Sequence, residues 1–239
     1  MIGWRARLGF LVPPGNPTVE PEMVALAPAG VTVHFQRMVA RGVPGSLDGQ
    51  ANQMMLDHLD ASVELLALVK PDIIVLAHTA TSYHLGREGE AELLAHLRRS
   101  FGRPVVTAFG SVVRALERLG IRRVALGAPY SAETTLQGKR HLEAHGFAVV
   151  GCDNLKGVTN IYDETPERAY RLARAVDNAE AEAVFLSGTG MPTVPVIEAL
   201  EQDLGKPVLS SATAMMWNAL RLAGVRQPVP GHGRLLTLD

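Results

Sequence analysis

Short apolar runs rich in valine and isoleucine recur along the chain, and each is followed by a longer stretch whose apolar positions return with helical spacing. Runs that are apolar throughout, rather than alternating, suit parallel strands covered on both faces, with crossover helices between them. Strands are predicted at 7–12 (RLGFLV), 31–35 (VTVHF), 73–77 (IIVLA), 104–106 (PVV), 122–127 (RRVALG), 147–150 (FAVV), 183–187 (AVFLS) and 207–210 (PVLS). Helices are predicted at 49–69, 87–100, 109–119, 131–145, 165–178, 193–204 and 212–223. "TPER" from Thr165 is a start signal, with a hydroxyl cap ahead of proline and an acid in the first turn.

The pattern occurs twice. "ARLGFLVPPGN" from 6 matches "RRVALGAPYSA" from 122, "IIVLAHTATS" from 73 matches "AVFLSGTGMP" from 183, and "GRPVVTAFGSVVRALERLG" from 102 matches "GKPVLSSATAMMWNALRLAG" from 205. These pairings set Pro14 against Tyr130, His78 against Gly188 and Thr79 against Thr189. The order is the same in both halves, so two similar α/β units are expected. We read 1–108 plus 211–239 as the first domain and 109–210 as the second, with a cleft between them.

Ligands of open α/β sheets bind beyond the carboxyl ends of the strands, which directs attention to Pro13 to Asn16, His78 to Ser82, Tyr130 with Ser131, and Gly188 to Gly190. Thr79, Thr81, Ser82, Thr189 and the glycines offer hydroxyls and accessible N–H groups that suit a carboxylate or a developing oxyanion. The competing reading is structural, because Ser, Thr and Asn after strands commonly cap helices and close turns. His78 suits general acid/base work, or else is a histidine bonded into a pocket wall. His58, His96, His141 and His145 fall on predicted helices beside charged residues and are expected to be solvated. His84 lies close to His78 in sequence, but no third metal ligand accompanies the pair.

Composition narrows the classes. The 239 residues are 47% hydrophobic and 20% charged with a net charge of −1, which gives no bulk attraction for nucleic acid or an acidic membrane surface. The apolar runs are far shorter than a membrane span, and the N-terminal stretch is too short for a secretory signal, so a cytoplasmic location is expected. Cys152 is the single cysteine, which excludes an internal disulfide and a Cys-x-x-Cys site. Neither the Gly-x-Gly-x-x-Gly fingerprint nor a Walker lysine is present.

"LGFLVPPGNPTVEPEM", "HTATSYHLG", "LSGTGMPTVPVIEALEQDLGKPVLSSATAMMWNALRLAG" and "PGHGRLL" together resemble the maleate isomerase and arylmalonate decarboxylase branch of the aspartate/glutamate racemase superfamily. The resemblance runs in order over nearly the whole chain. It implies two pseudo-symmetric Rossmann-like, flavodoxin-like parallel-sheet domains around one active site, working without metal or organic cofactor. It places catalytic cysteines at positions 78 and 188, where this chain has His78 and Gly188. It also implies that Asn16, Tyr130 and Asn160 grip a substrate carboxylate, that Thr79 belongs to an oxyanion pocket, and that Pro13 and Pro14 line the pocket wall. Ser82, Gly188 and Thr189 complete the expected binding set, and oligomers are common in the superfamily.

The resulting expectation is a cofactor-independent lyase or isomerase acting on a small mono- or dicarboxylic acid through an enediolate-like intermediate. His78 would move one proton, and the partner is a small-molecule carboxylate rather than nucleic acid or membrane. The alternative is a carboxylate-binding pseudoenzyme, and a redox or metal protein has the least support. Residues 36–54 are expected to lie over the pocket, where Arg37, Arg41 and Gln53 either meet a second carboxylate or are solvated. Met215, Met216 and Trp217 are expected in the core.

Overall fold

The computed structural model describes residues 2–40 and 49–239, the side chains of 49–52 excepted, so Arg41 lies outside the described residues. The first half contains β1 (Ala6–Val12), α1 (Val19–Leu26), β2 (Val31–Arg37), α2 (Gly49–Asp57), α3 (Leu59–Ala67), β3 (Ile73–Leu76), α4 (Thr79–Phe101), β4 (Val105–Thr107) and α5 (Ala108–Arg118). The second contains β5 (Arg123–Ala128), α6 (Ala132–Ala144), β6 (Ala148–Asn154), α7 (Pro166–Val176), β7 (Ala183–Leu186), α8 (Ile197–Leu204), β8 (Val208–Ser210) and α9 (Ser211–Leu222), with short 3-10 turns at 161–163, 194–196 and 234–237. Among the described residues, no helix is long and apolar enough to cross a membrane.

Two four-stranded parallel sheets form, in the orders β2-β1-β3-β4 and β6-β5-β7-β8. Their registers reproduce the repeat read from the sequence: Leu8 faces Ile73 as Val124 faces Ala183, and Ile74 faces Val105 as Val184 faces Val208. Equivalent strands therefore end at equivalent depths, and the residues after β1, β3, β5 and β7 meet. Apart from Arg7 and Arg123 at their starts, the central strands are apolar because helices cover both faces: Phe10, Ile73, Ile74, Leu76, Val184 and Phe185 are all sealed from solvent.

Hydroxyl caps start the helices that leave the strand ends. Thr107 accepts from Gly110 N at α5, Ser131 from Thr134 N at α6, and Thr165 from Arg168 N at α7, where Pro166 occupies the first turn as the sequence predicts. Ser210 and Thr213 form a reciprocal capping box on α9. That helix leaves the second sheet and packs against α5, α1, β1 and β3, with Met215 and Met216 fully buried and Trp217 nearly so, as the core reading expected.

The sequence reading missed α1 and ended β2 and β6 short of Arg37 and Asn154, and three of its helices differ in extent. The predicted helix 49–69 is two helices, separated at His58, whose φ of −109° and ψ of 13° leave the helical region. The predicted helix 193–204 begins as a 3-10 turn at Val194–Val196. The predicted helix 87–100 begins at Thr79, and Gly86, at φ 68° and ψ 178°, puts a sharp bend inside it. A positive φ is readily reached by glycine, so the bend falls there and not at a neighbour.

Candidate active site at the inter-domain strand ends

His78 follows β3 as the residue ahead of α4 and is 5% exposed. Its Nδ1 lies 2.9 Å from Thr81 Oγ1, and burial pushes the imidazole down to about 4, so in the ligand-free pocket it is neutral at physiological pH. Thr79, the first helical residue, donates from Oγ1 to Ser211 Oγ at 3.0 Å, and Gly188 N donates to the same hydroxyl at 3.2 Å. Tyr130, after β5, is buried, and Tyr83 Oη and Ser187 Oγ are 2.8 Å apart. Burial raises both phenols well above their ordinary range, which keeps their protons in place for hydrogen bonding.

Position 188 admits no side chain without strain. Gly188 has φ +95°, and a β-carbon there would lie 2.9 Å from Tyr130 Oη and 3.1 Å from Pro129 Cγ. A thiol at this position would need both an unfavourable backbone and displacement of Tyr130.

A second cluster bridges the halves. Asn16 Nδ2 donates to Thr189 O at 3.1 Å and reaches Thr189 Oγ1 at 3.4 Å, while its Oδ1 accepts from Thr18 N and Val19 N at the start of α1. Thr189 Oγ1 donates to Ala77 O at 3.0 Å, next to His78 in the chain, and Thr18 Oγ1 donates to Gly190 O at 2.8 Å. Glu22 Oε1 accepts from Thr193 N at 2.6 Å and Val194 N at 2.8 Å. The Gly188–Val194 loop is thereby tied to the first half at several points.

The expected site residues divide by location. Thr79 and Gly188 meet at Ser211; His78 adjoins Thr79 in the chain with its ring bonded to Thr81, and Thr189 and Asn16 form the bridge beside them. Pro13 is buried, whereas Pro14 is exposed and its carbonyl accepts from Arg37 Nη1 at 2.9 Å. Arg37 also reaches Asn16 O at 3.1 Å and pairs with Glu20 at 3.0 Å, so it rims this corner. Asn160 bonds Tyr162 N and Asp163 Oδ2; its link to the cleft is indirect, through the Tyr162 ring packed on Gly190. Ser82 turns away and donates to Glu90 Oε1 at 2.8 Å. Gln53 donates to Asp57 on its own exposed helix face. Beside Tyr130, the second half also borders a cavity of about 520 Å³ walled by Ser131, Asn154, Lys156 and Ile161.

The histidine reading needs one correction. His58, His84 and His96 are exposed, but His141 is 5% exposed, with Nε2 3.3 Å from Glu90 Oε2, and His145 is half-buried beside it. The contact joins α6 to α4 across 51 residues, which helical spacing alone does not reveal. The sequence reading also passed over Ser187, Ser211 and Tyr83. Ser211 carried a usable signal, because it follows β8, a strand end by the same rule that singled out His78.

Two like α/β halves with hydroxyls, backbone donors and one buried imidazole at their strand ends define a two-domain α/β protein, in which such strand ends are the usual place for a ligand. Residues 8–236 match the family model described as arylmalonate decarboxylase, and the chain belongs to that family. It is 32% identical over 244 residues to a maleate isomerase of Nocardia farcinica, covering 98% of this chain and 96% of the relative. It is 28% identical over 235 residues to an arylmalonate decarboxylase of Bordetella bronchiseptica, covering 95% of each. Among solved structures, a cysteine-to-serine mutant of the Nocardia farcinica maleate cis-trans isomerase, carrying a covalently bound succinylcysteine intermediate, superposes with a TM-score of 0.91 at 28% identity, covering 98% of this chain and 99% of that one. The relatives so named are enzymes, maleate isomerases and an arylmalonate decarboxylase.

Proposed function

We propose that this protein is a cofactor-independent lyase or isomerase acting on a small carboxylic or dicarboxylic acid through an enediolate-like intermediate, with His78 moving a proton on one face. The carrying observation is that His78 stands beside the Thr79–Ser211–Gly188 hydroxyl and N–H group, at the position where the resemblance puts a thiol. Hydroxyl donors hold the carboxylate and the charge that develops on it; each donor aligned on an oxyanion contributes about 2.7–4 kcal/mol in measured cases. Gly188 brings no second acid or base, which argues against two-base racemisation.

His78 at about 4 is a weak base in the empty pocket. A substrate carboxylate bound close to the ring favours the imidazolium, and so raises His78 from that value toward the range where it accepts and returns protons efficiently.

The test is proton NMR in D₂O with maleate, phenylmalonate, 2-arylpropionates and small unsaturated acids, run for the protein and for His78→Ala. Deuterium uptake or a new product that disappears in the variant supports the reading. Unchanged turnover in His78→Ala overturns it. A second reading, binding without turnover, draws on the strained, side-chain-free position at Gly188; it predicts calorimetric binding of one of these acids with no exchange in either protein.

A further inference from the structure

Behind the cleft, where α4 of the first half meets α6 of the second, Glu90, His141 and His145 converge. One ligand-type atom from each lies within 4.8 Å of the other two. We propose that these three side chains bind a divalent transition-metal ion, zinc by the character of the donors, which fastens α4 to α6 and stands apart from the inter-domain site.

Four observations carry the assignment. His141 and His145 are four residues apart, so α6 and its C-terminal cap present both rings on one side, and the ring centroids are 5.1 Å apart. His141 Nε2 and Glu90 Oε2 are 3.3 Å apart. A tetrahedral zinc with nitrogen and oxygen ligands at about 2.0–2.1 Å spaces them about 3.3–3.4 Å apart, so this edge is already set. His145 Nε2 is buried with no hydrogen-bond partner, a costly state for a ring nitrogen that metal coordination relieves. Glu90, finally, is held from behind: Oε1 accepts from Ser82 and Thr107, leaving Oε2 to face the imidazoles. Hydroxyls that orient a ligating carboxylate are the usual outer support of a metal site.

The surroundings agree. The Phe109 ring lies 4.4 Å from the His141 ring and 5.6 Å from that of His145, so both imidazoles are packed in place. The titratable and charged groups facing His145 are His141, Arg87, Glu90 and Glu117. A carboxylate and two imidazoles, each bound through a lone pair, would leave a divalent ion with a single net positive charge and an open fourth position for water. Binding requires a free lone pair on His141 Nε2, so any proton it shares with Glu90 moves to Nδ1 or is released to solvent.

The test uses the full chain without a histidine tag, stripped with chelator and titrated with ZnCl₂ by calorimetry, with Co²⁺ as a spectroscopic substitute. The expected result is one ion per chain, a visible Co²⁺ band of tetrahedral type and a raised Tm. His145→Ala, a substitution at a partly exposed helix end, should fold, lose the Tm shift and bind at least about tenfold more weakly. Cys152→Ser, which removes the exposed lone thiol, should bind as the parent does. No binding by the parent protein overturns the proposal, as does equal affinity in His145→Ala or loss of binding in Cys152→Ser. In the first case the cluster is a buried hydrogen-bonded pair and nothing more.

Discussion

Glu22 provides a test in which the carboxylate's burial and its hydrogen bonds pull in opposite directions. The side chain is 7% exposed on α1, and two backbone N–H groups of the loop beyond Gly188 point at its Oε1. Burial raises the carboxyl from its usual 4.5 to about 7, and the bonds from Val194 and Thr193 only partly oppose that rise. The shift of about 2.5 units corresponds to roughly 3 kcal/mol. Its sign follows from linkage: the folded protein holds the Glu22 proton more tightly than the unfolded chain. The stabilisation is therefore complete below about pH 4.5 and is lost as pH rises through about 7.

Glu22→Gln isolates this contribution, since the amide oxygen still accepts from Thr193 N and Val194 N but does not titrate. The difference in unfolding free energy between variant and parent should be small at pH 4.5 and grow to roughly 3 kcal/mol in the variant's favour at pH 8, all other titrations cancelling. Urea unfolding across that range, with the m-value unchanged between the two proteins, measures it. A difference that does not vary with pH, or one that favours the parent at pH 8, would refute the reasoning. Glu22→Ala should behave oppositely, because it leaves two buried N–H groups unpaired and costs about 1–3 kcal/mol for each.

Two further predictions concern the bridge and the glycine. Gly188→Cys should lose about 1–3 kcal/mol in urea unfolding, because a side chain at φ +95° also meets Tyr130 and Pro129; unchanged stability would show that the position tolerates a thiol. Asn16→Ala should lose about 2 kcal/mol, from the free N–H groups at the start of α1 and from the bond to Thr189 O, and Asn16→Asp should recover only the first part. Equal losses in the two Asn16 variants would mean that the cross-domain bond carries the whole effect.

The fold was legible because it rests on periodicity. Continuous apolar runs and their repetition are local properties of the chain, and matching strand pairs produced matching ladder registers. The start of α4 was not, because Thr79, Thr81 and Ser82 are weak helix formers and Gly86 reads as a break. The helix holds through its tertiary partners, with Thr79 on Ser211, Ser82 on Glu90 and Tyr83 on Ser187. The strand-end rule located His78, Thr79, Tyr130 and Gly188, yet it could not say which way a side chain turns. Ser82 proves the point: its partner is eight residues on, beyond the bend. His141 looked solvated because its neighbours in sequence are charged, while the group that buries it comes from the other half.

The two halves are alike in backbone and unlike in chemistry, and that contrast bears on the reaction. Equivalent positions hold an imidazole after β3 and a bare, positive-φ glycine after β7. The Gly188 N–H is directed at Ser211 Oγ, the same hydroxyl that receives Thr79. The second half thus contributes hydrogen-bond donors where the first contributes a titratable group. A symmetric fold carrying a proton donor on each side would permit inversion at the reacting carbon. With His78 in the proposed role of proton donor, delivery is restricted to one face, and the bridges through Asn16, Thr18 and Glu22 hold the Gly188–Val194 loop against the first half. On this geometry, any product that gains a proton at a prochiral carbon should form as one enantiomer.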